Sequence, residues 1–121
     1  MGLTFLNVAA INPARPDKEK VFEFLVDSGA VYSVLPESDL KELEIEPSSS
    51  ETFILANGER IEKRVGNAYF RFEGKVRAAP VIFGEADVYL LGATTLEALG
   101  LILDPINRQL KPLPMSLMRL R

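Results

Sequence analysis

The chain has 121 residues and a formal net charge of −3, enough length for one domain with a real core and too little for two. No nucleic-acid partner is expected from this mildly acidic balance, because the basic residues near the end (Arg108, Lys111, Arg119, Arg121) lack interleaved aromatics. Cysteine and histidine are both absent, which removes disulfides, thiol nucleophiles, Ser-His-Asp triads and the usual zinc sites, so carboxylates would carry any acid–base chemistry, with no metal or cofactor expected.

Leu3 to Ala10 is apolar, but no Lys or Arg precedes it, Asn7 interrupts it, and it is too short to span a bilayer. No membrane association and a cytoplasmic location are expected. Residues 4–10 read as a first strand, closed by the turn-prone segment 12–17 with its two prolines, and Lys18 to Val26 returns as a second strand of a hairpin. Val31 to Leu35 is a further strand, and Glu37 to Leu43 a short helix with Pro36 in its first turn. Ser48 to Ser50 reads as a loop. Asn57-Gly58 joins strands over 52–56 and 60–65 into a hairpin, after which Gly66 breaks the pattern. Glu73-Gly74 turns a second hairpin between 68–72 and 75–78, and strands follow at 81–83 and 88–91. Thr94 to Gly100 is a short helix, with Thr94 and Glu97 at capping-box spacing and Gly100 as a left-handed stop. Leu101 to Leu103 leaves it, and Arg108 to Lys111 is a last strand. The result is an all-β domain of eight or nine short strands and two short helices over residues 1–121.

One carboxylate stands apart from the other four aspartates. Asp17 adjoins Pro16 in a turn, Asp39 is near a helix start, Asp87 precedes a strand and Asp104 precedes Pro105, whereas Asp27 directly follows the apolar run Phe22-Glu23-Phe24-Leu25-Val26. An ionised group at the end of a buried strand is costly unless paired or hydrogen-bonded, so such a residue suggests a catalytic purpose. The plainer alternative is that Asp27 only opens a turn, with Ser28 and Gly29 supplying turn chemistry.

The plan of this stretch recurs. Val26-Asp27-Ser28-Gly29-Ala30 and Leu90-Leu91-Gly92-Ala93 both run an apolar strand into Gly-Ala, each is followed by a short helix, and each helix exits toward an acid-Pro pair, Glu46-Pro47 or Asp104-Pro105. Two such halves would bring the Gly-Ala turns together about an internal pseudo-twofold, and only the first half carries the carboxylate.

In these features the chain resembles the retropepsin-like aspartic proteases, single-domain homodimeric relatives of pepsin that include the retroviral proteases. The resemblance runs from about Val21 to Pro112. Asp27-Ser28-Gly29-Ala30 matches the family's Asp-Thr/Ser-Gly-Ala signature, Leu90-Leu91-Gly92 its apolar-apolar-Gly element, and the Asn57-Gly58 hairpin falls where the family has its flap. Two departures stand out: Ser28 replaces the threonine of better-known members, and Gly58 is the single glycine at the flap tip.

The resemblance implies a closed acid-protease-like barrel and an aspartic endopeptidase acting on polypeptide. Asp27 would supply one catalytic carboxylate and a second chain's Asp27 the other, so the site would exist in a homodimer. Ser28 and Gly29 would support the turn, Ala30 would border the cleft, and the tip Ala56, Asn57, Gly58 and Glu59 would close over substrate. A catalytically silent peptide-binding or dimerisation module of the same fold is the alternative, and an unrelated β-rich domain with Asp27 as a turn former is a third. The tail 112–121 is either an interface strand or disordered, its prolines arguing against a central strand.

Overall fold

The computed structural model describes residues 3–104 and 109–112, and these hold nine strands and two helices. The first two strands form the expected hairpin, β1 (Phe5–Asn12) against β2 (Arg15–Val26). β2 starts earlier than its composition suggests, so Asp17 lies in a strand and not in a turn. Alternation sets its faces: Phe22, Phe24 and Val26 are buried, while Val21 and Glu23 point to solvent. Phe24 meets Phe22 and Phe70 edge to face at centroid distances of 6.1 and 6.3 Å, which seats the end of β2 on the core.

Past Val26 the chain turns and enters β3 (Ser33–Pro36), then α1 (Glu37–Glu42). Pro36 is extended (φ −57°, ψ 142°), ending β3 and flanking the helix, not sitting inside its first turn. A long hairpin follows, β4 (Ser49–Ile54) with β5 (Arg60–Phe72), then β6 (Lys75–Gly84). Ser49 and Ser50 pair with Val65 and Arg64, so they belong to β4 and not to a loop. Gly66 does not break β5. A Cβ there would stand 2.9 Å from the Glu46 carbonyl oxygen, so the missing side chain lets the strand pass this backbone and continue. β6 likewise runs through Pro80, joining the segments read as 75–78 and 81–83. β7 is only Leu90–Leu91, and α2 (Ala93–Ala98) follows at once. Gly92 occupies the N-cap position with no side-chain cap, so the expected Thr94–Glu97 capping box does not form. β8 (Leu101–Asp104) pairs with β9 (Gln109–Pro112), which lies one residue beyond the predicted last strand. Residues 113–121 of the tail lie outside the described residues.

Sheet order is β1-β2-β7-β3-β6-β5-β4, and β5 returns to β1 through Ala9↔Arg71, Ala10↔Phe70 and Ile11↔Tyr69. Six strands therefore close a ring around the core, with β4 attached outside it. The expected closed barrel is realised as this ring and is not a clean barrel, because the hairpin strand β4 lies beyond the closure. The helices end alike. Leu43 (φ −78°, ψ 0°) and Leu99 (φ −79°, ψ −2°) are the C-caps, and each is followed by a left-handed residue, Glu44 (φ 59°) or Gly100 (φ 73°). The internal repeat is thus visible in the backbone, with one difference: β3 intervenes between the first Gly-Ala turn and its helix, and nothing intervenes in the second.

Asn12, read as a turn residue, is 5% exposed and does more than turn the chain. Its amide nitrogen donates to the carbonyls of Leu43 and Glu44 at 2.9 Å each, satisfying acceptors at the end of α1, while its oxygen accepts the N–H groups of Ala14 and Arg15. At the opposite flank of α1, the Tyr89 hydroxyl donates to Asp39 Oδ2 at 2.8 Å and its ring stacks on Phe22 at 5.8 Å. The hydrogen bond to Asp39, with burial and the charges of Asp39 and Asp87 adding to it, holds the Tyr89 phenol above its ordinary pKa of 10.0. A raised folded-state pKa gives stability that is complete below the unfolded value and is lost as pH rises through the folded one. Tyr89→Phe is expected to cost about 0.5–1.5 kcal/mol in urea denaturation at neutral pH. The gap between parent and variant should narrow above about pH 10, and a gap independent of pH would contradict this role for the phenol.

Candidate active site

β2 delivers Asp27 to the surface between two neighbours. Val26 N–H donates to the Thr4 carbonyl at 2.8 Å and Leu25 N–H to the Tyr89 carbonyl at 2.9 Å, so the last residues of the strand are held on both sides. Parallel pairing of Leu25 with Leu90 and Val26 with Leu91 then sets the register, and Asp27 N–H continues it by donating to the Leu91 carbonyl at 3.0 Å. The chain reverses immediately, with Ala30 N–H donating to the Asp27 carbonyl at 3.1 Å.

The carboxylate takes part in this turn. Asp27 Oδ1 accepts the Gly29 N–H at 3.0 Å, and Oδ2 makes no hydrogen bond among the described residues. The turn-forming and chemical readings of Asp27 are therefore compatible: one oxygen fixes the orientation of the group, and the group stays half-exposed. Ser28 and Gly29 are exposed and Ala30 is half-buried. Among the described residues the Ser28 hydroxyl has no hydrogen-bond partner within the chain.

The second Gly-Ala turn clamps the first. Ala93 N–H donates to the Ala30 carbonyl at 2.7 Å, Thr94 N–H to the Val31 carbonyl at 2.9 Å, and Gly92 N–H to Ser33 Oγ at 3.0 Å. These N–H groups lie at the start of α2, where the helix itself offers them no acceptor. The approach is so close that a Cβ on Gly92 would fall 2.6 Å from both the carbonyl carbon and oxygen of Tyr32. Gly92 is essential to this packing and was legible as half of a repeat and as the glycine of the apolar-apolar-Gly element; Ser33 and Thr95, which meet beneath it, carried no signal beyond small hydroxyl residues in apolar surroundings.

The hairpin tip is built separately. Leu55 N–H donates to the Glu59 carbonyl at 2.8 Å and Gly58 N–H to the Leu55 carbonyl at 2.9 Å, so Ala56, Asn57 and Gly58 form a three-residue loop with Gly58 left-handed (φ 89°). Asn57 stiffens it, accepting Glu59 N–H and donating to Glu59 Oε1. Ala56, Asn57, Gly58 and Glu59 are all exposed, and no hydrogen bond joins them to the Asp27 turn among the described residues. The connection is aromatic: Phe53 of β4 meets Tyr32, just past the turn, edge to face at 6.1 Å. Val31, Ile54 and Leu55 leave large apolar side chains exposed on these same two segments. A surface concavity of about 860 Å³ is lined instead by residues such as Asn12, Arg15, Glu44 and Arg64, and does not include Asp27. Among the described residues no group of three or more acidic side chains converges to hold a metal ion, and no helix is long and apolar enough to cross a membrane.

Two comparisons bear on this geometry. The model of a family described as aspartyl protease matches residues 13–105, a span that contains both Gly-Ala turns and the hairpin. The fold is similar to that of the simian foamy virus (mac) protease in solution, with a TM-score of 0.55 and 19% identity over 78% of this chain and 92% of that one. An unrelated β-rich domain is thereby set aside. Gly92→Ala should force the two turns apart and destabilise the fold by about 1–3 kcal/mol, measured as a lower denaturation midpoint; a midpoint equal to the parent's would contradict the close approach.

Proposed function

Because the chain belongs to the aspartyl protease family, we propose that it is an aspartic endopeptidase whose site is completed by pairing with a second copy of itself. The observation that carries this reading is the placement of Asp27: a half-exposed carboxylate, oriented by Gly29 and fixed in backbone register by Leu91, in a domain whose second, equivalent turn has no carboxylate. One such group is insufficient for peptide hydrolysis, which needs a base for water and an acid for the scissile carbonyl oxygen. Two Asp27 side chains facing each other across a twofold axis supply both.

At a separation of about 3 Å two carboxylates cannot both ionise, so the pair holds one proton, as the general case of aspartic proteases illustrates. The ionised member takes a proton from water as the water oxygen bonds to the carbonyl carbon, and the protonated member gives its proton to the carbonyl oxygen. As the resulting diol collapses, the member that took the proton from water gives it to the amide nitrogen, the other accepts a proton from a diol hydroxyl, and the C–N bond breaks to release acid and amine. Ser28 is exposed beside the carboxylate, which supports a role in bonding across the twofold, and Gly29 keeps the approach to Asp27 open where a Cβ would lie 3.3 Å from Oδ1. Ala30 borders the cleft. The tip Ala56 to Glu59 covers an extended substrate, with the Phe53–Tyr32 contact relating its movement to the turn.

Asp27→Asn keeps the acceptor oxygen for Gly29 and removes the ionisable group. Cleavage of an unfolded polypeptide should fall by at least about 10²–10⁴-fold, with far-UV circular dichroism and denaturation midpoint unchanged. Undiminished cleavage would remove Asp27 from the chemistry, and a parent protein that binds peptide without turnover at any pH from acidic to neutral would identify a silent module instead.

A further inference from the structure

Six residues after Asp27, Ser33 opens β3 with 0% exposure, and Thr95 in α2 is equally enclosed. Their hydroxyl oxygens are 2.6 Å apart, and Ser33 Oγ also accepts the Gly92 N–H at 3.0 Å. Alanine and valine would occupy these places with little change of volume, so the hydroxyls are not needed to fill the core, and a buried hydroxyl is costly unless bonded.

The other links between the two turns are backbone bonds, from Asp27 to Leu91 and from Ala93 and Thr94 to Ala30 and Val31. Any sequence that admits the Gly92 approach can make them, and all of them lie along one narrow seam. The Ser33–Thr95 bond lies beyond the end of that seam, in the first turn of α2, and among the described residues it is the hydrogen bond between side chains that joins β3 to the helix. With it, the segment 27–33 is held at both ends: Asp27 on β7 and Ser33 on α2 and its N-cap.

We infer that Ser33 and Thr95 are positioning residues, whose shared hydrogen bond keeps the Asp27 turn in one orientation against the start of α2. Neither touches substrate; they act through Gly92 and the backbone of the turn. This deepens the peptidase reading and rests on it for the kinetic half of its test.

Thr95→Val preserves shape and removes the hydroxyl, Thr95→Ser restores it, and Ser33→Ala leaves the Gly92 N–H without its acceptor. Thr95→Val is expected to lower kcat about tenfold or more with KM within about twofold of the parent, and Thr95→Ser to recover most of the loss. Native-state hydrogen exchange at the Gly29, Ala93 and Thr94 amides should accelerate in Thr95→Val and Ser33→Ala, with Phe70 in β5 unchanged. Parent-like kinetics and exchange in Thr95→Val, or exchange raised equally at Phe70, would overturn the inference. If the parent itself hydrolyses no peptide, the peptidase reading fails separately, and exchange alone decides: local acceleration supports positioning, and no local change refutes it.

Discussion

Backbone hydrogen bonds between two glycine-alanine turns hold the Asp27 carboxylate in place. Asp27 donates to Leu91, Ala93 and Thr94 donate back to Ala30 and Val31, and Gly92 brings the two stretches near enough for this exchange. Much of the surrounding architecture serves that contact. β2 must be buried deeply enough to deliver Asp27 at a fixed height, which Phe22, Phe24 and Val26 achieve by alternation, and β7 must lie parallel beside it. Among the described glycines, Gly92 makes the closest approach to backbone: a single methyl group there meets peptide atoms of Tyr32, which cannot rotate away as a side chain could.

The repeat explains why the domain contains two such turns and one acid. Both halves end their helices with the same backbone geometry, a leucine C-cap followed by a left-handed residue. They have diverged at the turns. The first retains β3 and a carboxylate, while the second passes directly from β7 into α2 and spends its N–H groups on the first half. A helix start that donates to a neighbouring segment fixes that segment, and the acid is left on the fixed partner. A second acid cannot come from the second half of the same chain, which is the structural reason for invoking a twofold between chains.

Where local pattern dominates, the fold was legible. Alternation found β1, β2 and most of β5 and β6, and Asn57-Gly58 and Glu73-Gly74 marked real reversals. Errors arose where a distant contact decides local form. Gly66 reads as a break until the Glu46 carbonyl is found against it, and Thr94 reads as a cap until Gly92 is seen to hold that position. Ser49 and Ser50 read as loop because their composition carries no strand signal, yet β5 is long enough to pair with them. For the candidate site, the turn from Asp27 to Ala30 was legible because it is built from adjacent residues. Ser33 and Thr95 were not, since 62 positions separate them and their meeting depends on β3 pairing beside β7.

A carboxylate pair shared between two chains, as proposed, makes concentration the most direct variable. Specific activity toward an unfolded polypeptide should be measured across a dilution series, with sedimentation velocity on the same samples giving the fraction of dimer. Activity per total chain is expected to fall in proportion to that fraction, with activity per dimer constant throughout. Specific activity that stays level after sedimentation shows only monomer would contradict a site shared between two copies of Asp27.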